Sequence, residues 1–153
     1  MMKKMPPIEK TYEAYSAIAD KRIEMHEDYA LVDSSDHSKY YEVGWNKDVY
    51  ASSDNATYWQ GYAGYPVIAV LILQGRLPAL NNAYLPEMAD IPWKQLNDEH
   101  KRDYAAAAEE VLSQKPHAKE IKEAAEVLYE ALSKLDLTLK RGRVKHSKNL
   151  LTH

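Results

Sequence analysis

Fifteen aromatic side chains stand in this 153-residue sequence, twelve tyrosines and three tryptophans, and none is phenylalanine. Eight of them crowd into residues 40–65: Tyr40, Tyr41, Trp45, Tyr50, Tyr58, Trp59, Tyr62 and Tyr65. Each has an apolar ring and a polar tip, so each buries fully only where its O–H or N–H meets a partner. Such a segment suits a pocket wall, a stacking platform or a partner surface. A core edge built of Tyr in place of Phe is the competing reading. On a helix Tyr58, Tyr62 and Tyr65 share one face, and Gly61 and Gly64 leave the backbone open to close approach. The segment therefore points to binding of a small ligand or a protein partner through Trp45, Tyr58, Trp59, Tyr62 and Tyr65.

A second constellation is ionisable. His26 and His100 both fall on apolar stripes at helical spacing, and Asp103 lies three residues after His100. If their helices pack together, imidazoles and a carboxylate could converge on a divalent metal or act as an acid–base pair. The Glu-x-x-His pair of di-iron bundles is absent, and a hydrogen-bonded structural histidine is the simpler reading. No phosphate-binding Gly-rich loop, nucleophile elbow or His-Glu-x-x-His helix occurs, so no cofactor is identified and the sequence leaves open whether the protein is an enzyme.

Charge is unevenly spread. Residues 140–148 carry five basic side chains and no acid, leaving fifteen basic against twenty-three acidic elsewhere, a balance of −8. The 140–153 segment reads as a flexible basic tail that could contact phosphates, although an acidic body opposes nucleic acid from most approaches. The absence of cysteine excludes disulfides, thiolate metal sites and thiol nucleophiles. With no signal-peptide pattern and no apolar run long enough to span a bilayer, a cytoplasmic protein without membrane contact is expected.

The elements expected to position these groups are helical. Apolar residues recur every three or four positions from Ile8 to Ala30 and again from Trp93 to Val111, predicting two long amphipathic helices. Residues 66–75 read as a short helix apolar on every side, opened by Pro66 and ended by Gly75. From Ile121 to Leu135 a seam alternating four and three apart marks a last helix, one that could pack within the chain or across two subunits of a homo-oligomer. Residues 38–53 do not declare themselves as strand or loop. The expected architecture is an all-α bundle of four to five helices in one domain, residues 1–139.

Overall fold

In the computed structural model, which describes residues 4–142, the chain is an α+β fold: an antiparallel sheet extended by one parallel strand, packed against helices. The all-α helical bundle is thereby overturned. The first expected helix is where it fails. Helix α1 covers only Lys10–Ala19, and Lys21 adopts a left-handed backbone (φ 55°) that turns the chain away. Residues beyond it form strands β1 (Ile23–Met25) and β2 (Tyr29–Asp33), with register Ile23↔Val32 to Met25↔Ala30. Ala30 and Val32 are buried while Leu31 is only half-buried and Asp33 exposed, the alternation of a strand with one covered face. Spacing of Ile23, His26 and Ala30 fits a helix by coincidence; pairing on both sides of β2 decides otherwise.

The undeclared residues supply the sheet's centre. Strand β3 (Tyr40–Asn46) pairs with β2, then Lys47 (φ 56°) and Asp48 turn directly into β4 (Val49–Ser52). Strand β5 (Thr138–Leu139) returns parallel to β4, giving the order β1-β2-β3-β4-β5. Aromatic and β-branched residues favour this pleated, half-covered setting.

The short apolar helix is present as α2 (Tyr65–Leu73), opened by Pro66 and followed by Gly75 at φ 77°. Pro66 to Ile72 are all buried, with α2 between the sheet and α1. Full burial of side chains such as Ile68 and Leu71 stabilises by about 1.5–3 kcal/mol each. The predicted 93–111 helix is two helices, α3 (Trp93–Glu99) and α4 (Tyr104–Leu112). They are parted by Lys101 and Arg102, both left-handed at φ 54° and 67°. Helix α5 (Ala118–Lys134) buries Ile121, Ala125, Leu128 and Leu132 in the chain's own core and packs against α1. Of the basic tail, residues 143–153 lie outside the described part.

Candidate functional site

Helix α1 is buried on almost every side, and that includes charge. Lys10 and Glu13 are 8% and 6% exposed, and Arg22, just past the helix, is 5% exposed. These three side chains line a cleft of about 460 Å³. One wall is the β2–β3 connection with Tyr41, another the segment from Asp54 to Tyr65, and the third α3, α4 and the link between them.

The floor is loosely bonded. Lys10 Nζ reaches Glu13 Oε2 at 3.4 Å, and Asn97 Nδ2 reaches the same oxygen at 3.4 Å. Both are longer than a well-formed hydrogen bond. The ammonium of Lys10 also lies 4.2 Å from the centre of the Tyr104 ring. Burial pushes the Glu13 carboxyl above its ordinary range, against the opposing pull of Lys10 and Arg22. Burial draws Lys10 down, but Glu13 and the phenols of Tyr104 and Tyr62 outweigh it and leave the ammonium raised. Arg22 is better held, donating from Nη1 to the Asp33 carbonyl at 2.7 Å and from Nε to Asp20 at 3.3 Å. Its guanidinium lies 5.9 Å from the Tyr65 ring, whose hydroxyl is pushed up by burial.

The aromatic wall depends on a short irregular piece of backbone. Residues Ala56–Gln60 form one π-helical turn that ends at Gly61 (φ 75°). Asp54 organises it: its carboxylate accepts from Thr57 N–H at 3.0 Å and from the Ser52 hydroxyl. Thr57 Oγ1 in turn accepts from Gly64 N–H at 3.0 Å. A Cβ at Gly64 would stand 2.1 Å from Asp54 Oδ2, so the close approach expected of this glycine is made to a carboxylate. The break at Gly61 and the extended backbone at Gly64 also mean that Tyr58, Tyr62 and Tyr65 do not share a continuous helix face.

Of the five aromatic residues singled out from sequence, Trp59, Tyr62 and Tyr65 line the cleft. Trp45 and Tyr58 are not among its lining residues: Trp45 stacks on Tyr50 (6.1 Å between centres), and Tyr58 meets Trp59 edge-on at 4.7 Å. Trp59 is 64% exposed. Arg141, at the start of the basic segment, donates to the Tyr58 carbonyl at 3.2 Å and lies 5.4 Å from the Tyr58 and Trp59 ring centres.

His26 and His100 stand apart from the cleft. His26 is exposed in the β1–β2 hairpin rather than in a helix, bonded to Glu24 at 2.5 Å and stacked on Tyr29. His100 follows α3 and bonds Glu110 Oε1 at 2.8 Å, while Asp103 caps α4 by accepting from Ala106 N–H at 3.0 Å. Among the described residues no group of three or more His, Asp and Glu side chains is placed to hold a metal ion. No described helix is long and apolar enough to cross a membrane.

Lys10, Glu13, Arg22, Asn97 and Tyr104 are the cleft residues the sequence reading passed over. One signal was available: Lys10 and Glu13 lie one turn apart on a helix whose other positions, Thr11, Tyr12, Ala14, Tyr15, Ser16 and Ala17, are uncharged. A helix with so few charges is buried all round, and its charges with it. Neither curated proteins nor solved structures gave a match to the chain. A family profile does match, over residues 3–138, which takes in every residue lining the cleft, and the chain belongs to that family, described as uncharacterised conserved protein UCP014422.

Proposed function

We propose that the protein binds a small polar ligand in the cleft floored by Lys10, Glu13 and Arg22, with Trp59, Tyr62 and Tyr65 forming its aromatic wall. The observation that carries this reading is the buried charge at the floor. Burying ions costs several kcal/mol each, and well-packed apolar residues of similar volume would serve stability as well or better. Charges kept at such a cost, with bonds as long as 3.4 Å, leave hydrogen-bonding capacity for a further partner. A cleft of about 460 Å³ falls in the range that holds small molecules, and its mixture of aromatic walls with a few converging polar groups is the usual character of such sites.

The reading narrows the aromatic surface to Trp59, Tyr62 and Tyr65, and adds Tyr41, edge-on to Tyr65 at 6.3 Å, and Tyr104 from the lining. It involves no metal and none of the histidines. Its test is a thermal-shift screen over metabolites of every charge type. A ligand at 100 times its Kd stabilises by about 2.7 kcal/mol, an increase in Tm of about 5–11 °C for a chain of this size. The expected result is at least one such shift that is lost in both Lys10→Met and Tyr62→Ala. A shift that survives both variants places binding elsewhere and defeats the proposal.

A further inference from the structure

The cleft carries more positive charge than the rest of this acidic chain. Among the described residues five basic side chains line it against three acidic ones, in a protein whose formal charge is −3. Two of the acids are committed, and the third, Asp98, is exposed. Glu13 faces Lys10, and Asp54 is engaged by Ser52 and Thr57. The bases are less so. Lys94 holds Asp36 at 3.4 Å, but Lys39 and Arg102 form no ion pair among the described residues.

Lys39 and Arg102 come from different walls: Lys39 precedes β3, and Arg102 lies in the α3–α4 link. Two consecutive non-glycine residues of that link, Lys101 and Arg102, hold the left-handed backbone, a conformation that L-residues adopt at a cost. That conformation closes the end of α3, where Arg102 N–H donates to the Asn97 carbonyl at 2.7 Å. Here it sets Arg102 on the cleft. Near the same cleft stands Trp59, 64% exposed and held edge-on by Tyr58, with Tyr62 beside it in the lining. Arg141 lies 5.4 Å from its ring centre, and the indole, still 64% exposed, offers flat apolar surface to a planar group.

From these placements we propose that the ligand of the cleft is a planar ring compound bearing an anionic group, its ring against Trp59 and Tyr62 and its anion drawn to Arg102 and Lys39. The inference rests on the cleft being a ligand site and adds the chemistry of what it takes. Phosphate and carboxylate share that chemistry. The first would come as a nucleoside monophosphate, the second as an aromatic acid, and both fit the cleft's volume.

Calorimetric titration at low salt distinguishes them, using the four ribonucleoside 5′-monophosphates with their parent nucleosides, and benzoate with benzamide. A charged probe is expected to bind about tenfold or more tightly than its neutral counterpart, as a charge-assisted contact implies. Arg102→Gln should abolish that preference, and Trp59→Ala should weaken charged and neutral ring probes alike. Selective binding of nucleotides assigns the anion as phosphate, and selective binding of benzoate assigns it as carboxylate; either supports the inference. Equal binding of charged and neutral probes overturns the anionic part. If every ring probe fails while the thermal-shift screen finds an uncharged or cationic ligand, the inference falls and the cleft remains a binding site. If both experiments find nothing, both fall.

Discussion

Two clusters in this molecule are built from the same four kinds of group, a cation, a carboxylate, a tyrosine and a side-chain amide. At the end of α2, Arg76 Nη2 meets Asp48 at 2.9 Å and Nη1 meets Tyr50 Oη at 3.2 Å, while Tyr50 donates to Gln74 Oε1 at 2.6 Å. In the cleft, Lys10, Glu13, Tyr104 and Asn97 repeat the composition with contacts of 3.4 Å and a cation over a ring. The first cluster joins residues 24 to 28 apart and fastens the β3–β4 turn and β4 to the end of α2. Its charged ends stay partly in water, Asp48 with 66% of its side chain exposed. The second centres on neighbours one turn apart on a single helix, tied to α3 only by the 3.4 Å contact from Asn97 and to α4 only by the Tyr104 ring, yet it is buried. Stapling accounts for the first arrangement. It accounts for less of the second, whose long contacts are what the proposed ligand would complete.

The contrast breaks most sharply at Lys10. Lys10→Met leaves Glu13 buried without its cation and should destabilise by about 3–5 kcal/mol at neutral pH, measured by urea unfolding. Replacing both, Lys10→Met with Glu13→Leu, should restore wild-type stability or exceed it by about 1–4 kcal/mol while ligand binding is lost. A double variant that stays as unstable as the single one would mean that the pair is structural after all, and the two clusters alike.

Next in size is Gly64→Ala. The added methyl would meet Asp54 Oδ2, a short side chain already fixed by Ser52 and Thr57, with Ala56 3.2 Å from the same Cβ. A loss of about 1–3 kcal/mol is expected in chemical denaturation, as for overpacking. Because Asp54 and Ala56 line the cleft, binding should weaken as well. Unchanged stability would show that the Asp54 turn yields easily and does not hold the aromatic wall in place.

How far the sequence announced these two regions differs for physical reasons. Helix α2 was legible because its apolar run is bounded by Pro66 and Gly75, two residues whose backbone preferences act locally. So was the α5 seam, where Ile121, Ala125, Leu128 and Leu132 follow one period over a long stretch. The sheet was not, because β1, at three residues, is too short to show alternation and the β1–β2 hairpin counterfeits helical spacing across Ile23, His26 and Ala30. The α3–α4 division was hidden for another reason. Lys101 and Arg102 carry no signal for the left-handed backbone that closes the end of α3, where Arg102 N–H donates to the Asn97 carbonyl at 2.7 Å. In the cleft, Trp59, Tyr62 and Tyr65 stood out by composition, whereas Lys10 and Glu13 looked like the solvated face of an amphipathic helix. Only long-range packing encloses them, by the β2–β3 connection, the segment from Asp54 to Tyr65, and α3 and α4.

Acidity offers a gentler probe of the same contrast. Glu13 has its carboxyl raised in the folded chain, so between its unfolded and folded values the native state binds the proton more readily. Stability from this group is therefore present at low pH and is lost as pH rises from about 4.5 toward the folded value. Unfolding measured from pH 4 to 8 should show Glu13→Gln flattening that decline. Tyr12, raised to about 12 by burial, has the same sign farther up, and its contribution should fall above pH 10. An unaltered profile in Glu13→Gln would mean that the carboxyl is ionised at ordinary cost and the floor is not strained.

The smallest effect belongs to the fastened cluster. Arg76→Ala removes a pair whose partner is mostly solvated, together with one hydrogen bond accepted by Tyr50, whose hydroxyl still donates to Gln74. Screening by water limits the loss to about 0.2–1 kcal/mol, and added salt should reduce the wild-type advantage further. Ligand binding should not change, because neither Arg76 nor Tyr50 lines the cleft. The measurement therefore separates two uses of one chemistry. If Arg76→Ala cost as much as Lys10→Met, burial would not be what distinguishes the clusters, and the strained floor of the cleft would lose its claim to be built for a ligand.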